Sequence, residues 1–209
     1  MSKRLFDVLF AALILLVISP LLLVIAIAIK LDSDGPILFN QVRIGRDARP
    51  FRIHKFRTMI HTPDVAAVNV SPDGDTRITR VGSFLRRTFL DEIPQLLNVV
   101  KGEMSMVGPR PETPEFVRLY SDEQRRVLGV RPGMTGPSAV AFHDEARILA
   151  EYDDPHAFYI DHLLHERVRL DLEYLGSRSL SSDVGMLWRT LVVALAGLRS
   201  TRAETEAVR

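Results

Sequence analysis

The chain has 209 residues, 46% of them hydrophobic, with 27 Lys and Arg against 26 Asp and Glu. A net charge of +1 gives no global reason to expect nucleic acid as a partner, and the apolar content is enough for a real core. The absence of cysteine excludes disulfides, thiolate metal sites and a catalytic thiol, which fits a cytoplasmic catalytic region.

Residues 8–29, "VLFAALILLVISPLLLVIAIAI", carry no charge. As a helix they would measure about 33 Å, enough for a hydrocarbon core of about 30 Å. A cleaved signal peptide is the competing reading, but "IKLDSDGP" behind the run offers no small-x-small cleavage site. Ser19-Pro20 stands at the middle, where proline deletes a helical hydrogen bond. Lys3 and Arg4 precede the run; Lys30, Arg43, Arg46, Arg49 and Arg52 follow it. Positive charge on both flanks suits a re-entrant hairpin with both ends cytoplasmic; a kinked spanning helix is the alternative. The residues alone leave the two readings even.

Two short apolar-polar alternations, around 37–44 and 51–57, flank "GRDARP" and predict a β-hairpin. Period two places Phe51, Ile53, Lys55 and Arg57 on one face. The turn-rich stretch 61–77 predicts a mobile loop. A helix is expected across "TRVGSFLRRTFLDEIPQLLNVVKG", with Gly102 as C-cap and Ile93, Leu96, Leu97 and Val100 as its buried stripe. Asp91 would then point away from that stripe. Further helices are expected over 114–127, near 143–151 and over 155–174. The segment "VGMLWRTLVVALAGL" predicts an interfacial helix with Trp188 and Arg189 near lipid headgroups.

No glycine-rich phosphate loop, Gly-x-Ser-x-Gly elbow or HExxH is present, and the histidines read as surface or packing residues. Lys55 and Arg57 could hold a phosphate, Arg by its fork and Lys as a point charge; the alternative is a basic skirt on anionic lipid. That alternative suits Arg46, Arg49 and Arg52. Arg110, between Pro109 and Pro111, is held where a fixed guanidinium could meet phosphate, or it is an exposed turn residue. Thr88 and Asp91 match a capping box, which would leave Asp91 a structural role. The functional reading makes Asp91 a nucleophile toward phosphorus, with Arg86 and Arg87 drawing phosphates in. Glu92 beside it would share a divalent metal with Asp91.

"KRLFD", the "SP" inside the apolar run, "VRIGRDARPFRIHKFRTM", "LRRTFLDEIPQLLNVVKGEMSMVGPRP" and "VRPGMTGPSA" resemble the bacterial sugar transferases. These are the small monotopic polyprenyl-phosphate hexose-1-phosphate transferases, and the resemblance spans about residues 2–197. It implies an α+β fold: an N-terminal re-entrant membrane helix-hairpin over 1–30, broken at Ser19-Pro20. A compact, mostly helical cytoplasmic catalytic domain over 31–199 would follow, with a short β-hairpin and interfacial helices, then a flexible tail over 200–209. The resemblance makes Asp91 the nucleophile, Glu92 and Asp91 the magnesium site, and Lys55, Arg57, Arg86 and Arg110 the residues that bind donor phosphates. The implied reaction moves a sugar-1-phosphate from a UDP-sugar to polyprenyl (undecaprenyl) phosphate at the cytoplasmic face of the inner membrane. The implied partners are those two substrates and membrane lipids, with no nucleic acid; a homodimer is compatible with family precedent. A non-catalytic membrane scaffold is the alternative. Phe89 departs from the small residue that many members carry there.

Overall fold

The computed structural model describes residues 3–61 and 70–207, with side chains placed as far as residue 196. Helix α1 (Lys3–Asp32) is followed by strands β1 (Leu38–Ile44) and β2 (Pro50–Phe56), then helices α2 (Arg80–Arg87) and α3 (Gln95–Lys101). Strand β3 (Ser105–Val107), helix α4 (Pro114–Arg118), strand β4 (Gly133–Thr135) and helices α5 (Pro137–Ala141) and α6 (Glu145–Leu149) come next. Helix α7 (Pro155–Phe158) passes through a π-helical segment, Tyr159–Leu164, into α8 (His165–Ser177), and α9 (Leu180–Ala207) closes the chain. The loop expected over 61–77 falls largely on 62–69, outside the described residues.

The expected hairpin forms: β1 and β2 pair antiparallel from Leu38 opposite Phe56 to Ile44 opposite Pro50. Strands β3 and β4 make a short parallel pair. Their backbones approach so closely that a Cβ on Gly133 would stand 2.1 Å from the Gly108 nitrogen, so only glycine fits. One core gathers Phe116, Leu149, Tyr159, Leu164 and Val168; a second gathers Ile53, Leu96, Val99, Met104 and Met106.

Helix α1 runs uninterrupted through Ser19-Pro20, about 45 Å end to end. Proline cannot donate to the carbonyl of Leu16, and the Ser19 hydroxyl takes that place at 2.9 Å. The serine therefore keeps satisfied an acceptor that its neighbour abandons. Only 11% of the helix's most apolar stretch is buried, unlike a core helix of a soluble protein. Leu13, Leu16, Val17, Leu23 and Val24 all face outward.

Both ends of α1 dock on the same folded body. At the N-terminal end, Arg4 donates to the carbonyls of Val99 and Val100 at 2.7 and 3.1 Å, satisfying the end of α3. Ser105 donates to buried Asp7 at 2.6 Å, and Lys3 pairs with Asp183 of α9 at 2.5 Å. At the C-terminal end, Ile25 and Ile29 pack with Phe56 and Leu85. Asp32 accepts from the Val81 amide at 2.9 Å in the first turn of α2. The segment from α2 to α3 thus runs antiparallel along α1.

Helix α9 leaves Leu180, Val184, Trp188, Leu191 and Leu195 exposed along one face. Met186 and Leu187 of the same helix pack against the second core.

Candidate active site

The continuous helix expected over 79–102 is broken at the residues of interest. Thr88 ends α2 as its C-cap, its hydroxyl donating back to Phe84 and Leu85 carbonyls at 2.9 and 3.2 Å. That geometry rules out the capping box, because Thr88 closes a helix instead of opening one. Phe89 then takes a left-handed conformation, φ +56°, which costs a non-glycine residue on the order of 1–3 kcal/mol. A single 3-10 turn, Leu90–Glu92, follows, and Pro94 leads into α3, which Gly102 ends at φ +91° as expected. Two helix ends and a strained residue therefore present Asp91 and Glu92 on a short, tightly held turn.

The helical stripe expected in α3 is rotated. Leu96 is buried, but Leu97 and Val100 are 41% and 39% exposed, and Asn98 and Val99 occupy the interior. Asn98 is buried at no cost in unpaired groups: its amide donates to the Arg52 carbonyl and to Glu103, both at 2.7 Å, and accepts from the His54 amide at 3.1 Å. The side chain rivets α3 to the free edge of β2. Asp91, expected to face outward, is only 9% exposed.

Burial raises the Asp91 carboxyl to about 6; Lys55 and Arg86 pull against it, and Glu92 adds to the rise. Burial also works against the Glu92 carboxylate. There the attraction of Lys55 and Arg110, with hydrogen bonds from Lys55 and Gln95, outweighs it and holds the group below the usual range. Lys55 Nζ meets Glu92 Oε1 at 2.5 Å. One carboxylate of the pair is thus neutralised by an ammonium, while the other is short of counter-charge.

A narrow cleft beside the pair is lined by Arg43, Lys55, Glu92, Gln95, Arg110 and Thr135. Arg110 is placed from its backbone: its amide donates to the buried carboxylate of Asp171 at 2.9 Å, which also accepts from the Ser138 hydroxyl at 2.9 Å. Its guanidinium Nε lies 3.6 Å from Glu112, too far for a hydrogen bond, and nearby carboxylates outweigh burial to keep it charged.

Arg43 and Glu112 are parts of this site that sequence reasoning missed. Buried Glu112 accepts from the Tyr159 hydroxyl at 2.8 Å and pairs with Arg43 at 3.4 Å. Arg43 also donates to the Pro111 carbonyl at 3.2 Å, so it braces the loop that carries Arg110. The available signal was a glutamate directly behind the Pro-Arg-Pro triplet, with an inward arginine on the facing strand.

The other expected phosphate residues are not gathered at the cleft. Strand β2 ends at Phe56, so the period-two parity that joined Arg57 to Lys55 lapses by one residue. Arg57 is 5% exposed and donates to the carbonyls of Ser33 and Asp34, both at 2.6 Å, and of Ile29 at 3.3 Å. It fastens the end of α1 to the strand that carries Lys55. Arg86 donates to the Ser71 carbonyl at 3.2 Å and acts on Asp91 through its charge. Among the described residues no group of three or more metal-ligating side chains occurs, and this turn carries two carboxylates, Asp91 and Glu92.

The model of the family described as bacterial sugar transferase matches residues 1–197. The chain belongs to that family. It is 38% identical over 93% of its length to a UDP-N-acetylgalactosamine-undecaprenyl-phosphate N-acetylgalactosaminephosphotransferase of Aeromonas hydrophila, of which it covers 44%. It is 40% identical over 91% of its length to a UDP-glucose:undecaprenyl-phosphate glucose-1-phosphate transferase of Caulobacter vibrioides, of which it covers 68%. The exopolysaccharide production protein PSS of Rhizobium leguminosarum bv. phaseoli is 39% identical, and 94% of it is covered. The chain therefore spans less than half the length of the Aeromonas relative and nearly all of the Rhizobium one. The matched region of this family member contains every cleft residue described above.

Proposed function

We propose that this chain transfers a sugar-1-phosphate from a UDP-sugar to undecaprenyl phosphate, giving undecaprenyl-diphosphate-sugar and UMP as the first membrane step of a surface glycan. The observation that carries this reading is a buried, undercompensated carboxylate, Asp91, beside a cleft bearing Arg43, Lys55 and Arg110 in a body docked on an apolar helix. The relatives' names supply the two substrates. A scaffold would gain nothing from holding a carboxylate out of water next to a second one.

In this reading Arg110 and Lys55 hold the donor's phosphates by charge-assisted hydrogen bonds. Asp91 attacks the phosphorus that bears the sugar and the bond to UMP breaks, leaving an aspartyl phosphosugar. A phosphate oxygen of the lipid acceptor then attacks the same phosphorus, the acyl phosphate bond breaks, and Asp91 leaves as carboxylate. Magnesium fits the donor set, because it is commonly bound by one or two carboxylates completed by substrate phosphates. Asp91 and Glu92 would hold it, and it would supply the counter-charge that Asp91 lacks.

Incubating membrane-extracted protein with a panel of UDP-sugars and undecaprenyl phosphate tests the reading. UMP should appear in proportion to lipid-linked sugar for at least one donor. If no donor yields UMP, the reading fails.

The pose in the membrane is part of the proposal. A helix whose two ends dock on one body is not free to place them on opposite sides of a bilayer. We propose that α1, one continuous helix in the structure, bends at Ser19-Pro20 in the bilayer and so enters and leaves by the same leaflet, with the catalytic region on the cytoplasmic face of the inner membrane. Cysteines at residue 2 and in place of exposed Arg49 report this cleanly, since the chain has no cysteine of its own. Both should be shielded from an impermeant reagent applied to the periplasm, and labelling of residue 2 alone from that side would refute the pose.

A further inference from the structure

A second depression, an open groove of about 610 Å³, runs between the latter half of α1 and α2. Leu21, Val24 and Ala28 form its wall on the α1 side, Phe84 its wall on α2, and Leu90 one end. Because α1 and α2 run antiparallel, Arg80 and Asp32 stand at the opposite end from Leu90, and Asp32 is already engaged by the Val81 amide. The groove is therefore apolar along its length and polar only at the end far from the catalytic turn.

Its position relative to that turn is informative. Leu90 lines the apolar groove, and Glu92 lines the polar cleft. Leu90, Asp91 and Glu92 share one 3-10 turn, so the groove and the cleft adjoin the same turn at the residues before and after Asp91. A soluble nucleotide and a lipid both need access to this carboxylate, and only the second depression is walled by the membrane helix.

We propose that this groove holds the isoprenoid tail of the lipid acceptor next to its phosphate, which it delivers to Asp91 from the Leu90 side. The inference rests on the transfer reading above for the identity of the acceptor. The volume falls in the range of small-ligand sites, about 300–1,000 Å³. A single groove suits one unpaired chain better than the two acyl chains of a phospholipid. Apart from Arg80 at the far end, its lining side chains offer area for burial and no hydrogen-bond donor, so recognition along the groove is by shape and apolar contact. Phe84 and Val24, both exposed in the protein alone, would be covered by the tail.

The test is photocrosslinking with a diazirine-bearing polyprenyl phosphate in nanodiscs of phosphatidylethanolamine and phosphatidylglycerol, with the full chain. Label should fall on peptides containing Leu21, Val24 or Phe84. Unlabelled polyprenyl phosphate should compete, and added phosphatidylglycerol should not. Label elsewhere, or equal competition by phosphatidylglycerol, overturns the proposal; the latter outcome makes the groove a slot for bulk lipid. A second arm uses Val24→Trp and Phe84→Ala. Each should raise the acceptor KM at least tenfold while the covalent adduct formed from donor alone stays within twofold of the parent, which also reports folding. An unchanged acceptor KM in both variants overturns the groove. Failure of the parent to form adduct counts against the transfer reading, while the crosslinking still decides the groove.

Discussion

Asp91→Asn is expected to fold, bind membranes and lose turnover by at least about 10⁴-fold, the scale on which removal of an attacking group acts. The amide keeps the shape of the carboxylate and cannot form the acyl phosphate. Intact-protein mass spectrometry after adding donor without lipid should find a phosphosugar adduct on the parent and none on the variant. Adduct formation undiminished in Asp91→Asn would remove this residue from the role. The same variant separates chemistry from structural damage. The folded protein holds the Asp91 proton more tightly than the unfolded chain does, so ionisation costs stability as pH rises from the ordinary carboxylate range through about 6. At neutral pH the neutral amide relieves that cost, and the variant should melt no lower than the parent. A collapse in Tm would point to a structural role for the carboxylate.

Arg110→Ala is expected to lower kcat/KM for the donor by roughly 10- to 150-fold, the equivalent of a lost charged hydrogen bond worth about 1.5–3 kcal/mol. Arg110→Lys should recover only part of this, because it restores the charge without the two-pronged geometry. Glu112→Gln offers a graded comparison. It removes the negative partner of Arg43 and loosens the loop that carries Arg110, so its effect should appear mainly in donor KM with kcat nearly kept. Arg110→Lys at parental kcat/KM would show that the guanidinium does not clasp the donor.

The β-hairpin was legible because alternation over seven residues on each side of a turn has one simple solution. Asp91 and Glu92 were singled out through the family resemblance, whose span of about residues 2–197 nearly coincides with the family match. Four features were hidden for separate physical reasons. Thr88 satisfied a start-of-helix pattern, yet the left-handed Phe89 behind it makes it a helix end. Period two misplaced Arg57 because the strand stops one residue earlier. Periodicity in α3 failed because it sends every apolar residue inward. Asn98 instead takes the interior by making three hydrogen bonds, while Leu97 and Val100 face out. Arg43 and Glu112 escaped because their roles depend on partners 69 residues apart.

The three carbonyls that receive Arg57 have a consequence for how the machine keeps its distances. Strand β2 carries Lys55 to Glu92, and Arg57, the residue just after its end, grips the end of the apolar helix. The apolar helix is consequently a girder of the folded body and not a leash: its end is gripped directly by the residue that follows the strand of Lys55. The position of Asp91 relative to the apolar helix is set by the fold, like the height of a workbench. In the proposed transfer, a lipid phosphate at the interface would then meet the carboxylate by lateral diffusion in two dimensions, without being lifted out of its leaflet.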